Sequence, residues 1–426
     1  MIPLKRLIAS IESGVSVNAV DTPAERGQIA VLKTSCVYSG RFDSTENKTV
    51  VSEELDRVAC PVRANTLVVS RMNTPDLVGA AGIVTSDEPY IYLPDRLWQV
   101  HFDLDATEPR FVYWWTQAEL YRDQVKMACA GTSSSMQNLD QASFRGFVLP
   151  DTKRSAQERI ANFLDEQTAR IDALIAEKER LLERIDEYRL SVISTSVSLG
   201  LRAEVERKFV DDQWFPSVPE HWAFCPLNYR YEIQLGKMLD EKQITGEFLR
   251  PYLRNTDVQW GSINTEGLPQ MDISLDEVGR YTVCSGDLLV CEGGDVGRSA
   301  IWGGESGEVG YQKALHRVRP RSDTDTPGFL FYLLFDSSKR GRFADREKAT
   351  IAHLTAEAFR RYRFPFPPPD EQREIVAFLG DFVGRIGRLT EHCIGHIGCL
   401  REYRSSLISA AVTGQLNLDR FGLEPA

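Results

Sequence analysis

The chain has 426 residues and a formal net charge of −11, from 61 acidic and 50 basic side chains. That balance excludes a domain that grips nucleic acid through a strongly basic surface of its own; if DNA is bound, partners supply part of the positive surface. No apolar run has membrane-spanning length, and residues at the N-terminus do not read as a signal peptide. The eight cysteines lack CxxC pairing, which fits reduced thiols in a cytoplasmic protein.

In chain order, residues 1–152 read as a first globular segment. Ile29–Leu32, Thr66–Ser70 and Leu97–Val100 are short apolar runs between turn residues, the spacing of strands. An aromatic-rich helix is predicted from Pro109 to Met127, its stripe facing the core, and a small polar loop over Gly131–Gln137. The fold class is α+β with a mostly antiparallel sheet. A long helix follows over 153–201, with Ser155 and Glu158 at capping-box spacing. Residues 202–213 read as a polar linker, and 214–369 as a second globular segment that opens on a proline-punctuated lead-in. A second long helix covers 370–416, and 417–426 is a tail.

The two long helices are copies of one another. Gln157–Leu201 aligns with Gln372–Leu416 without a gap: 372 − 157 and 416 − 201 both give 215. Phe163-Leu164 meets Phe378-Leu379, and Glu187-Tyr188-Arg189 meets Glu402-Tyr403-Arg404. Apolar residues recur at heptad spacing. The predicted packing positions are Leu164, Ile171, Leu174, Leu181, Ile185 and Tyr188 in the first copy, and Leu379, Ile386, Leu389, Leu400, Tyr403 and Leu407 in the second. Each copy makes a rod of roughly 60 Å. The two rods are expected to pack on each other as an antiparallel coiled coil, with the interior glycines of the second rod allowing close approach.

The globular segments share a framework as well. Pro3-Leu4 corresponds to Pro226-Leu227, Val31-Leu32-Lys33 to Tyr252-Leu253-Arg254, Leu67-Val68-Val69 to Leu288-Leu289-Val290, and Leu139 to Leu354. The intervening loops differ. One fold is used twice with two different surfaces, giving a pseudo-two-fold internal repeat.

Catalytic signatures are missing. Gly293–Ser299 is glycine-rich, but an arginine stands where a phosphate-binding loop has lysine, and a strand turn explains it better. No amino-methyltransferase motif is present, and the six histidines have no metal-ligand spacing. A binding protein is favoured over an enzyme.

This layout resembles the specificity subunit of Type I restriction-modification enzymes. The carrying residues are Leu149-Pro150, Gln157–Asp165 and Ile171–Ile175 in the first half, and Phe366–Leu379 in the second, with the closing runs 187–194 and 402–409. The resemblance implies two target recognition domains, each reading one half of an asymmetric bipartite site in double-stranded DNA. The paired helices would fix the gap. It implies docking of two methyltransferase (modification) subunits and of restriction/motor subunits, so that this chain directs adenine methylation or ATP-dependent restriction without an active site. S-adenosylmethionine, ATP and Mg belong to those partners, and no cofactor or metal to this chain. The alternative is a two-domain protein-binding adaptor with a coiled-coil spacer and no DNA readout.

Base edges are read by Arg, Asn, Gln and carboxylates on loops that enter a groove. The expected DNA-binding residues in the first half are Lys33, Arg71, Asn73, Thr74, Thr132, Ser133, Ser134 and Gln137. In the second half they are Arg254, Asn255, Glu292, Arg298, Lys339, Arg340, Arg342, Arg346 and Lys348. What supports the set is that these loops fall at corresponding places in both halves and differ in sequence.

Overall fold

A computed structural model describes residues 1–129, 135–202, 204–239, 246–343 and 353–418. The chain divides into two compact units, residues 1–179 with 394–426, and residues 180–393.

The first unit is built on an antiparallel sheet of β1 (Ile8–Ser13), β2 (Thr66–Ser70), β3 (Ala81–Val84) and β4 (Leu97–Phe102), in the order β1-β4-β2-β3. Every residue of β2 is buried, because it is a central strand covered on both faces. Beside it, Ala30–Leu32 pairs in parallel with Glu88–Tyr92. α1 (Pro109–Thr116) starts on a proline at its first turn, where a missing N–H costs nothing. Phe111, Val112 and Trp115 of α1 are fully buried.

The predicted Pro109–Met127 helix is two helices. The chain breaks at Gln117-Ala118, where Ala118 is extended, and restarts as α2 (Glu119–Ala128). The break lets Tyr121 donate to the Gly79 carbonyl at 2.7 Å, and Arg122 to the carbonyls of Val78 and Pro75. Propensity alone does not record such tertiary bonds.

The first rod, α3, runs from Arg154 to Leu199. Ser155 therefore lies inside its first turn and is not the cap; Glu158 pairs instead with Arg154 at 3.1 Å. The predicted linker 202–213 holds a strand, Arg207–Phe209, paired with Ser217–Pro219. Asp212 of that stretch accepts the backbone N–H groups of Trp214 and Phe215.

The second unit repeats the first. Its sheet comprises β5 (Tyr231–Leu235), β6 (Leu288–Cys291), β7 (Ser299–Ile301) and β8 (Leu315–Pro320), again all antiparallel and in the order β5-β8-β6-β7. Tyr252-Leu253 pairs in parallel with Gly310-Tyr311, matching Ala30–Leu32 in the first unit. α4 (Pro327–Lys339) is the counterpart of α1, and α5 (Pro369–Val412) is the second rod. Closure is also shared: Leu4 N–H donates to Phe147 O in one unit, and Leu227 N–H to Tyr362 O in the other, each at the foot of a two-stranded ladder.

Each unit contains the start of one rod and the end of the other. In the first, Ile160, Ala161, Leu164 and Ile171 share a core with Leu407, Ile408, Ala411 and Val412. Arg404 reaches Asp172 at 2.9 Å and Arg401 reaches Glu179 at 2.9 Å, so the segments run antiparallel. In the second, Ile193 and Val197 share a core with Ile375 and Leu379, and Tyr188 meets Phe382 edge-on at 5.7 Å.

Five of the twelve predicted packing positions are exposed, although one of them, Tyr188, still meets Phe382 of the other rod. Leu164, Ile171, Ile185, Leu379 and Leu407 are buried, and Ile386 and Leu400 are half-buried. Leu174, Leu181, Tyr188, Leu389 and Tyr403 lie 45–58% exposed. In the first unit the second seam is Ala161 and Thr168, both buried, with Ile175 half-buried. Thr168 fits there because its hydroxyl donates to Leu164 O at 2.6 Å. A reading by hydrophobicity passes over small and hydroxyl residues that a tight interface favours. The glycines do not serve close approach either: a Cβ at Gly380, Gly387, Gly395 or Gly398 meets nothing within 4 Å.

Candidate nucleic-acid interface

In the first unit three separate segments converge. Lys33 closes the strand Ala30–Leu32, and its ammonium lies 3.1 Å from Asp21. Hydrogen bonds from Lys33 and Lys48 hold the Asp21 carboxyl below its usual range. The next residue, Thr34, bonds Tyr38 Oη at 2.7 Å, and Asn73 Nδ2 donates to the same phenol oxygen at 2.7 Å. Arg71 and Asn73 follow β2 directly. Gln137 pairs with Asn73, and Leu139 N–H donates to Arg71 O at 2.8 Å. Arg71 is half-buried with an Nε that has no partner among the described residues, and Thr74 is exposed. Thr132, Ser133 and Ser134 lie outside the described residues.

Asn73 is a correction. It is buried, and besides Tyr38 its amide donates to Ser70 Oγ at 3.2 Å, while its Oδ1 accepts from Thr74 N–H. Its hydrogen-bonding capacity is used in shaping the loop, not presented for a base. Beside this loop is a cleft of about 510 Å³ lined by Tyr38, Leu77, Gln117, Arg122 and Lys126, among others. Sequence reasoning missed Tyr38, Arg122 and Lys126; their only signal was the aromatic and cationic character of segments read as core or solvated helix.

The second unit assembles the corresponding place from other residues. Arg254 donates two hydrogen bonds to Asp257, at 2.9 and 2.8 Å. Burial works against the Asp257 charge, but the Arg254 bonds outweigh it and lower the carboxyl's pKa. Asn255 Nδ2 donates to Gly293 O at 3.0 Å, and Arg298 Nη2 donates to Asn255 O at 3.0 Å. Arg298 Nε lacks a partner among the described residues, as Arg71 Nε does. Glu292 follows β6 as Arg71 follows β2, and its carbonyl accepts Leu354 N–H at 2.7 Å. The glycine-rich stretch Gly293–Arg298 is the β6–β7 turn, as the strand-turn reading expects. Asp295 in that turn accepts from Trp260 Nε1 at 2.7 Å, and Lys339 lies over the Trp260 ring at 5.8 Å. So Lys339 joins the turn carrying Arg298.

The rest of the basic cluster separates. Arg340 lies against Asp336 at 3.3 Å and over Trp214. Arg342 is a second correction: it is buried, sandwiched between Phe215 and Phe364 at 4.8 and 4.9 Å, and bonded to Asp212 at 2.9 Å. Burial lowers its pKa, which only a paired, aromatic-lined niche makes tolerable. A basic run in sequence does not reveal that one member faces inward. Arg346 and Lys348 lie outside the described residues.

Among the described residues no group of three His, Cys, Asp or Glu is placed to hold a metal ion, and no helix is long and apolar enough to cross a membrane. The eight cysteines form no disulfide. Cys60 lies against Glu12 and Gln99 at 3.6 Å, and burial pushes its thiol up to about 12, so it is not a ready nucleophile.

Comparison with known proteins gives consistent results. Residues 219–393 match the Type I restriction modification DNA specificity domain. The Type I restriction enzyme EcoKI specificity subunit of Escherichia coli K12 is 22% identical over 72% of this chain. A putative Type I restriction enzyme MjaX specificity subunit of Methanocaldococcus jannaschii is 24% identical over 41%. These alignments span 65% and 42% of the relatives' own lengths. Among solved structures, a chain from work on complex assembly and conformational transition of the type I R-M system matches with a TM-score of 0.73 at 14% identity, covering 97% of both chains. The HsdS subunit of Thermoanaerobacter tengcongensis matches at 0.60 and 15%, covering 97% of this chain and 96% of its own. The matched domain makes up most of the second unit, the first unit repeats its strand order, and the fold likeness covers nearly the whole chain: the second unit carries a Type I restriction modification DNA specificity domain, and the chain as a whole has the fold of these solved type I R-M chains.

Proposed function

We propose that this chain is the DNA sequence-specificity subunit of a Type I restriction-modification complex. The observation that carries this is the repeated fold with unlike residues at one corresponding place. After β2 stand Arg71 and Thr74; after β6 stand Glu292 and the turn with Arg298. Both positions are braced by the same backbone bond from Leu139 or Leu354. A shared scaffold with different hydrogen-bonding groups suits two domains that read two different half-sites.

The partners are two modification subunits, with restriction/motor subunits added for cleavage. Exposed apolar side chains on the rods support a docking role: Leu174, Ile394 and Tyr403 in the first unit, and Leu181, Tyr188, Phe378 and Leu389 in the second. S-adenosylmethionine, ATP and Mg act on those partners, and this chain carries no catalysis of its own. The acidic balance fits a subunit that engages DNA inside an assembly whose partners share the phosphate contacts.

The test is co-expression with the genomically adjacent modification subunit, followed by mapping of methylated adenines in host DNA. The expected result is one asymmetric motif with two specified halves around a fixed gap. A stable complex that marks no motif would sink the proposal and favour the adaptor reading.

A further inference from the structure

The duplicated rods each begin on a glutamine, Gln157 and Gln372, and both side chains are almost wholly buried, at 1% and 0% exposure. A buried carboxamide is unusual unless its donors and acceptor are engaged. Here they are, in the same way twice. Gln157 Oε1 accepts from Glu108 N–H at 2.9 Å and from Thr107 Oγ1 at 2.7 Å, and its Nε2 donates to Thr152 O at 2.7 Å. Gln372 Oε1 accepts from Thr326 N–H at 3.0 Å and from Thr326 Oγ1 at 3.3 Å. Its Nε2 donates to Pro367 O at 3.0 Å and to Asp325 Oδ1 at 3.1 Å.

The partners correspond. Glu108 and Thr326 are the N-cap residues of α1 and α4. Thr152 and Pro367 lie in the turns entering α3 and α5, and differ by the same 215 residues as the two glutamines. Each carboxamide therefore joins three things inside its own unit: the start of the domain helix, the turn leaving the domain, and the first turn of the rod. The outer partners differ. Thr107 supplies a hydroxyl donor where Asp325 supplies an acceptor, and Arg230 in turn holds Asp325 at 3.0 Å. Across the repeat the side chain at the node is unchanged while its surroundings have diverged.

A carboxamide is the one uncharged side-chain group that offers both a planar acceptor and donors from a single stem. An apolar residue would fill the space but leave an N-cap N–H and a turn carbonyl unpaired. From this we infer that Gln157 and Gln372 are positioning residues, each fixing the angle at which a recognition domain leaves its rod, and hence the distance between the two DNA halves that the complex accepts. The inference rests on the function proposed above. It goes beyond it in assigning gap stringency to two buried glutamines that touch no DNA.

The experiment uses the full chain assembled with its modification subunit. Methylation rates are compared on duplexes carrying the mapped motif with its native gap and with the gap one base pair shorter or longer. The variants are Gln157→Met, Gln372→Met, and the milder Thr107→Val, which nearly keeps the shape and removes one donor to Gln157 Oε1. The methionine variants are expected to lower the native-to-shifted rate ratio by about tenfold, the factor carried by one good hydrogen-bonded node, with the sequence preference of each half unchanged. Thr107→Val is expected to fall between. Variants that lose thermal stability but keep the wild-type ratio would overturn the inference, since a merely structural role predicts that outcome. If the methionine forms fail to fold, an unchanged ratio in Thr107→Val overturns it equally. A wild-type complex that marks no bipartite motif would instead defeat the functional proposal, so the two failures are distinct.

Discussion

The second rod carries interior glycines whose cost can be worked from the structure. Replacing Gly380 and Gly387 in the second unit, or Gly395 and Gly398 in the first, adds a Cβ with no atom within 4 Å. All four lie inside the helix Pro369–Val412, and none has a positive φ. The full helix-propensity difference should therefore appear as stability, about 1 kcal/mol per Gly→Ala change. Two changes in one unit give about 2 kcal/mol. For a unit of about 200 residues that raises Tm by about 4–8 °C, at roughly 2–4 °C per kcal/mol. Calorimetry on the full chain, with each pair made separately, reads this directly. A pair that lowers Tm by more than a degree or two would refute the reasoning, because it would mean that the glycine face is closely covered.

Four further outcomes follow from the site. Asn73→Ala is expected to destabilise the first unit by about 1–3 kcal/mol, since Tyr38 Oη and Ser70 Oγ lose a buried partner; Arg342→Ala should cost about 3 kcal/mol or more by emptying the niche between Phe215 and Phe364 and removing the ion pair to Asp212. Denaturant unfolding separates these from DNA effects, and intact stability with altered sequence preference would contradict the burial argument. The Asp257 carboxyl has a folded pKa below its ordinary 3.8, so its contribution is fully present above that value and is lost as pH falls below it. Asp257→Asn should therefore flatten the acid limb of second-unit stability; an unchanged limb would show that the Arg254 pair does not matter there. Charge reversal at Arg71 or Arg298 should weaken DNA binding by the assembled methyltransferase and reduce its salt dependence, and unchanged affinity for both would remove these residues from the interface.

The repeat was legible because its signal is positional. A constant offset of 215 needs no knowledge of packing, and the strand orders of the two sheets agree with it. Strands such as Thr66–Ser70 were legible because β-branched runs between turns have few alternatives. The rod seam was half legible. Leu164 and Ile171 announce themselves, whereas Ala161 and Thr168 are buried for reasons of close fit and local hydrogen bonding. At the interface, residue type located the loops but not the orientation of side chains within them. Asn73 and Arg342 have the chemistry of base readers, and their surroundings turn it inward. Gln157 and Gln372 carried the most regular signal, an identical residue at both rod starts, but their role depends on N-caps about fifty residues away in sequence.

The central claim is that each globular segment reads one half of a bipartite site. The most direct measurement replaces residues 1–152 with the corresponding segment of a relative of different specificity, in the presence of the modification subunit, and maps methylated adenines again. The account predicts that one half of the motif changes while the other half keeps its sequence. Change in both halves, or in neither while the complex stays assembled, would contradict it.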